Sequence, residues 1–315
     1  MTLAKTRLSL MGTQIDLMIT DKYSDELLKE TCRQLHYYAQ RFSPYDKHSE
    51  LTTIHNKAYQ SPLTIAPDLF DLITIGKQHS LAPQSQLNIA IGPLVNAWRI
   101  GFSDAHLPTH DSIKKALLNS QASDILLDSN TSTISLNRPN MSLDLGAIAK
   151  GYIADQLMAF LKKEQVTSAM LNLGGNVLAH GPNPNHPSGF WFIGIQDPKA
   201  DRGQHLLTLP IKNLSIVTSG IYERQFQVEG KLYHHLLDRQ TGFPIDSDMA
   251  SLTIISPQSF EADIWSTRLF GLPIATALNL INQHLQLEGI IIDKDNQLYL
   301  SNRLKSYQKS SRPSV

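Results

Sequence analysis

Ser142-Leu143-Asp144-Leu145-Gly146-Ala147-Ile148-Ala149-Lys150-Gly151 is the stretch from which the fold is read. Its first half leads through a glycine turn into a helix predicted from about Ala147 to Leu161. Beyond that helix, Ala169–Leu173 reads as a strand that stops at Gly174-Gly175-Asn176, and Phe190–Ile195 reads as another. Gln225–Val228 and Lys231–Leu237 form a hairpin turning at Glu229-Gly230. Leu252–Ile255 is a buried strand. Phe260–Phe270 and Ile274–His284 are helices parted by Gly271-Leu272-Pro273, and Gly289–Asp293 with Gln297–Leu300 closes the chain as a hairpin.

Working backwards, Leu8–Ile19 alternates as a strand interrupted at Met11-Gly12-Thr13. Ser24 is expected to cap a helix reaching about Phe42, with Asp25 and Glu26 in its first turn, where negative charge suits the helix dipole. Pro44-Tyr45-Asp46 is a loop, and Pro67 starts a second helix with Leu69, Leu72, Ile73 and Ile75 on its buried side. Leu87–Ile91 is an apolar run ending at Gly92-Pro93, and Asp124–Asp128 with Thr131–Leu136 is a hairpin around Ser129-Asn130. Strands and helices mix without strict βαβ alternation, which predicts an α+β fold of mixed, mostly antiparallel sheets with flanking helices. The Ser-rich tail from Ser306 is expected to be disordered.

Lys plus Arg equals Asp plus Glu, 28 each, which argues against nucleic acid as an electrostatic partner. The single cysteine, Cys32, excludes an intramolecular disulfide, and with Leu28, Leu35 and Ala39 it reads as a buried structural thiol. No apolar segment approaches the ~18–20 residues of a membrane helix, so no stable membrane insertion is expected. The N-terminus carries no signal-peptide pattern, and the expected location is cytoplasmic.

Four glycine turns lie between apolar strands and helix starts, at Gly92, Gly146, Gly174-Gly175 and Gly220. Each alone serves backbone geometry; together they suit a site where backbone approaches a large polar ligand. None is a Walker A loop or a Gly-x-Gly-x-x-Gly fingerprint. Asp263 and Thr267, i and i+4 on a helix, place a carboxylate and a hydroxyl on one face, a hard-oxygen pair compatible with Mg²⁺ or with a plain solvated surface. His234 and His235 point to opposite faces if both lie on a strand, so one can pack while the other serves a site.

Taken in order, these segments resemble the FAD:protein FMN transferase (ApbE) family. The matching pieces are Met11-Gly12-Thr13, Ser43-Pro44-Tyr45 with Ser49-Glu50-Leu51, Ile91–Trp98, Leu143–Gly151, Leu173–Asn176, Thr218–Arg224, His234–Asp238 with Thr241-Gly242, and Ala262-Asp263 with Thr267. The resemblance implies an ApbE-like, T-fold-related architecture over residues 1–305 in one domain of two intimate lobes. It implies FAD as substrate and Mg²⁺ as cofactor, with FMN passed through a phosphoester bond to a Thr or Ser of an acceptor flavoprotein and AMP released. By position, Met11, Tyr45, Trp98, Arg99 and Ile100 would line the flavin pocket, with Trp98 and Tyr45 offering aromatic faces. Asp144 and Lys150 would contact FAD, and Leu237 would lie against it. Asp263, Thr267 and the backbone carbonyl of Ala147 would hold the metal, and His235 would be the base. Arg99, Arg239, Ser266 and Arg268 depart from the family pattern. A Mg²⁺-dependent FAD pyrophosphatase and a non-catalytic FAD-binding protein are the alternatives.

Overall fold

The computed structural model describes residues 2–305; the tail expected to be disordered from Ser306 lies outside them. The interrupted first strand is two strands, β1 (Thr2–Leu10) and β2 (Thr13–Asp21), paired antiparallel with Leu10 opposite Thr13. Met11 and Gly12 between them both take positive φ, 54° and 68°, the geometry a two-residue hairpin turn demands. Helix α1 follows (Ser24–Arg41), but Ser24 is not its cap. It lies inside the first turn, buried, with its hydroxyl 2.9 Å from that of Thr2. Cys32 on this helix is half-buried rather than buried.

Helix α2 (Glu50–Lys57) is capped by Ser49, whose Oγ accepts the Thr52 N–H at 2.9 Å. Glu50 then accepts from Arg41, which also forks onto Asp68. The short β3 (Leu63–Thr64), α3 (Pro67–Leu81), α4 (Gly92–Trp98) and α5 (His110–Leu118) come next. Strands β4 (Ile125–Asp128) and β5 (Thr133–Leu136) form the expected hairpin, extended by β3 to three strands. Helix α6 spans Ala149–Lys163. Six strands follow: β6 (Ser168–Leu173), β7 (Asn176–His180), β8 (Trp191–Gln196), β9 (His205–Ile211), β10 (Ser215–Gly220) and β11 (Gln225–Val228). Strand β12 (Lys231–His234) stops before His235, and β13 (Met249–Ser256), α7 (Ser259–Leu269), α8 (Ile274–Gln283), β14 (Glu288–Asp293) and β15 (Leu298–Leu300) complete the chain. Among the described residues no helix is long and apolar enough to cross a membrane.

One eight-stranded sheet, ordered β1-β2-β6-β7-β10-β13-β14-β15, organises the molecule, and each of its pairs is antiparallel. The α+β expectation holds. Alternation along each strand sorts the two faces. Ile15, Leu17, Ile19, Leu252, Ile254 and Ile291 join the main core, against which α1, α6 and α7 pack. Ile216, Ile255, Ile290 and Ile292 face the opposite way, onto the β8–β9 ribbon with Trp191 and Ile211. A third, smaller cluster joins α4 and α5 to the β11–β12 hairpin.

Register collects the glycine turns at one end of this sheet. Leu173 pairs with Ile15, so the Gly174-Gly175 turn lies beside the Met11-Gly12 turn. A Cβ on Gly174 would come within 2.3 Å of Thr13 Oγ1. Val177 pairs with Ile216 and Gly220 with Ser251, which brings Thr218-Ser219-Gly220 to the same end.

Candidate active site

Helices α6 and α7 cross at this end, and two α6 residues, Gly151 and Asp155, specify their contact. Gly151 has no side chain to hold them apart. Asp155, one turn on, accepts the Ser259 and Phe260 N–H groups at 2.9 and 2.8 Å, filling the cap that α7 lacks from its own sequence. Lys150 turns back to the Gly146 carbonyl at 2.8 Å.

Asp263 is 4% exposed, and its Oδ2 accepts the Gly151 N–H at 2.8 Å. Burial raises its pKa above the ordinary carboxylate value, opposed by Lys150, the Gly151 N–H and the nearby Asn176 amide. That amide is buried and has no hydrogen bond of acceptable geometry at either Nδ2 or Oδ1. The Gly151 N–H, committed to Asp263, does not close the usual helical bond to Ala147; among the described residues the Ala147 carbonyl accepts no hydrogen bond. The Thr267 hydroxyl, half-buried one turn beyond Asp263, is likewise without a protein partner. Ser266 is not a metal-facing group: its Oγ bonds the Asp263 carbonyl and receives Ser219. A buried, undercompensated carboxylate with free hydroxyl and carbonyl oxygens beside it is a donor set that fits a hard divalent cation.

On the other side of Lys150 lies Asp144. Its Oδ1 accepts the Gly146 N–H at 2.7 Å, and burial of the carboxylate raises its pKa against the pull of that N–H, Lys150 and Arg224. His55 fixes this turn from α2: its Nε2 accepts the Leu143 N–H at 2.9 Å, and burial pushes its pKa down to about 4. His235 follows β12, with its Nδ1 3.3 Å from the Arg224 carbonyl. Burial first, then the Arg224 charge, push its pKa down to about 3, so the ring is neutral at pH 7. With the Nδ1 proton directed at that carbonyl, Nε2 keeps a lone pair. His234, the last residue of β12, points elsewhere, to the Ile245 carbonyl at 3.1 Å; the two histidines differ in partner, but His235 lies beyond the strand, so strand alternation is not what separates them.

Tyr45 is 48% exposed; burial around its hydroxyl pushes the pKa up to about 12, Asp144 adds to this, and Arg99 and Arg224 oppose it. Phe102 meets Tyr45 edge-on at 5.1 Å, and the Arg99 guanidinium lies 4.1 Å over the Phe102 ring while pairing with Asp104. Arg99 closes α4 at φ 56°, a left-handed position that glycine adopts more readily than arginine.

Trp98 corrects one expectation. Its ring is 0% exposed, Nε1 donates to the Gly242 carbonyl at 2.7 Å, and Phe226, Tyr233 and Phe243 pack around it. It offers no open aromatic face, because an indole inside an apolar cluster spends both ring and N–H on packing. Ile100 and Leu237, each 5% exposed, lie in the same cluster. The structure thus gathers Tyr45, Arg99, Asp144, Ala147, Lys150, His235, Asp263 and Thr267 around the end of the sheet that carries Met11, with Trp98, Ile100 and Leu237 packed together nearby. Phe102, Asn176 and Arg224 were assigned no role from sequence; of these, Asn176 and Arg224 fall in quoted glycine-turn segments, and nothing local marks Phe102.

A neutral histidine, cations and a cluster of oxygen donors thus share one end of the sheet. The chain belongs to the ApbE family, whose sequence model matches residues 11–291. It is 37% identical over 292 residues to the FAD:protein FMN transferase of Klebsiella pneumoniae (strain 342), covering 93% of this chain and 90% of that one. It is 31% identical to the protein of the same name from Treponema pallidum, over 80% and 73%. Among solved structures, the ApbE protein of Thermotoga maritima superposes with a TM-score of 0.88 over 97% of this chain and 99% of that chain, at 23% identity. The Vibrio cholerae flavin transferase ApbE superposes with 0.81 over 97% and 99%, at 24% identity. At these identities the two structures speak for the fold.

Proposed function

We propose that this chain is an FAD:protein FMN transferase that passes FMN from FAD to a Thr or Ser hydroxyl of an acceptor flavoprotein, with release of AMP. The observation that carries this reading is the Klebsiella relative of that name, which aligns over 93% of the chain. Tyr45, Arg99 and Phe102 would bear the flavin ring, with Met11 and the packed wall of Trp98, Ile100 and Leu237 fixing the pocket behind them. Asp144 and Lys150 would meet the nucleotide. Asp263, Thr267 and the Ala147 carbonyl would hold Mg²⁺, which when bound neutralises charge on the diphosphate.

The acceptor oxygen would attack the phosphorus attached to the flavin arm. A new P–O bond forms, the anhydride P–O bond breaks, and AMP leaves with the electron pair. The hydroxyl proton passes to Nε2 of neutral His235. Two negative charges of bound substrate beside the ring would raise its pKa toward the range a base needs. A cytoplasmic location is part of this proposal, and cell fractionation tests it.

The deciding experiment is mass spectrometry of a Thr-containing acceptor-motif peptide incubated with the protein, FAD and Mg²⁺. A gain of one FMN, lost with EDTA, supports the transferase. AMP and free FMN with an unmodified peptide would instead favour a pyrophosphatase.

A further inference from the structure

We infer that Arg224 grips the phosphate on the flavin side of the bound dinucleotide, an inference that rests on the transferase reading. Three independent features of its placement carry this.

First, the guanidinium is exposed and, among the described residues, makes no ion pair. Its one side-chain hydrogen bond is a long one, 3.4 Å from Nη2 to the Gly12 carbonyl. A guanidinium presents five donors in a planar fork, so most of this one's capacity is unspent toward the site.

Second, its path is built by two glycines from distant parts of the chain. A Cβ on Gly101 would lie 2.8 Å from Arg224 Cδ, and a Cβ on Gly12 would lie 3.1 Å from Nη2. Both glycines also take positive φ, 91° and 68°. The β1–β2 turn and the loop after α4 therefore form a channel that only an absent side chain leaves open.

Third, the charges are ordered. The Arg224 side chain runs against Gly101, next to Phe102, whose ring meets Tyr45 at 5.1 Å, whereas Lys150 adjoins Gly151, whose N–H donates to Asp263 at 2.8 Å. Arg224 thus stands at the Tyr45 end of the site and Lys150 toward Asp263. A dinucleotide with its flavin at Tyr45 and its diphosphate reaching toward Asp263 presents the flavin-side phosphate to Arg224 first. The backbone of the same residue holds the base: its carbonyl accepts the His235 N–H at 3.2 Å and stands 3.3 Å from Nδ1. The residue whose side chain would fix the attacked phosphate thus also orients the proton acceptor, through its backbone carbonyl. During transfer the flavin-side phosphate exchanges its anhydride bond for a bond to the acceptor oxygen, and a forked cation suits its non-bridging oxygens throughout.

The test compares ligands with and without that phosphate. FMN, FAD and riboflavin are titrated into the full-length protein by flavin fluorescence, for wild type, Arg224→Gln and Arg224→Lys. Loss of a charge-assisted contact predicts that Arg224→Gln weakens FMN and FAD about ten- to hundredfold while riboflavin binding is unchanged. Arg224→Lys should fall between, since a point charge replaces a fork. Riboflavin binding doubles as the check on folding. Equal losses for riboflavin and FMN, no loss for either, or a wild type that binds the two equally would overturn the inference. FMN transfer by the wild type is read in parallel; its absence removes the transferase reading without deciding the phosphate grip, which the binding ratio decides.

Discussion

The Asp263 carboxylate takes the Gly151 N–H at 2.8 Å, and position 151 admits no side chain. A Cβ there would stand 2.5 Å from the Ser259 carbonyl oxygen and 2.8 Å from both Asp263 Cβ and Phe260 Cα. The close crossing of α6 and α7 therefore does two things. It buries the carboxylate, and it diverts a helical N–H so that the Ala147 carbonyl is left unbonded. Gly151→Ala should destabilise the protein by about 1–3 kcal/mol, because the atoms it meets are mostly backbone and cannot step aside. Thermal unfolding reads this, and a melting temperature equal to wild type would mean the helices part more easily than the crossing implies.

Asp263→Asn keeps the shape of the side chain and an acceptor for Gly151 but removes the charge. The fold should survive while Mg²⁺-dependent transfer falls by at least the 10–100-fold typical of metal-supporting residues. Transfer at the wild-type rate in saturating Mg²⁺ would take Asp263 out of the metal site.

His235→Gln retains a polar group of similar reach and loses the proton acceptor. FMN transfer should drop by about 10²–10⁴. Flavin affinity, measured separately, should change little; a matching loss of affinity would recast His235 as a binding residue.

Acid should destabilise the chain from pH 6.5 downward. His55 and His235 have folded pKa values of about 4 and about 3, both below the ordinary 6.5. Above pH 6.5 both are neutral folded or unfolded, and their contribution is fully present. Below it the unfolded chain takes up protons that the folded chain refuses, so stability is lost as pH falls toward the folded values. His55→Gln, which keeps an oxygen to accept the Leu143 N–H, should flatten this decline. Urea midpoints at pH 7 and pH 5 measure it, and identical slopes would exonerate His55.

Arg99→Gly tests one of the departures from the resembled pattern. Relief of a left-handed non-glycine residue, about 1–2 kcal/mol, is offset by roughly 0.5–1 kcal/mol of glycine entropy, so stability should shift little. Losing the cation over Phe102, worth about 0.5–1 kcal/mol, should weaken FAD binding about two- to fivefold. An unchanged FAD titration would leave Arg99 a surface residue.

Local signals were read well where the backbone alone sets them. The Asp263/Thr267 pair does share one helix face, and the Gly174-Gly175 turn does end a strand. Where a neighbour far along the chain competes, they failed. Ser24 carries cap chemistry, yet its hydroxyl is claimed by Thr2 across the sheet edge, and α1 starts without it. Ser49 and Glu50, part of the resembled motif, serve as scaffolding rather than chemistry: Ser49 caps α2 and Glu50 anchors Arg41. Trp98, expected as a ligand platform, is instead the centre of an apolar cluster, because Phe226 and Tyr233 of the β11–β12 hairpin and Phe243 beyond it arrive from more than a hundred residues away.

The sequence by itself determined many of the elements, several turns and the residue types for the chemistry, since helical and strand periods follow from backbone geometry within a few residues, whereas α2, α4, α5, β9 and β10 emerged only in the structure. Tertiary structure alone decided which of those residues meet. Gly151 reaches Asp263 across 112 positions, and Arg224 reaches Gly12 across 212. Such contacts depend on which faces bury together, and burial is a property of the whole sheet and its helices rather than of any segment.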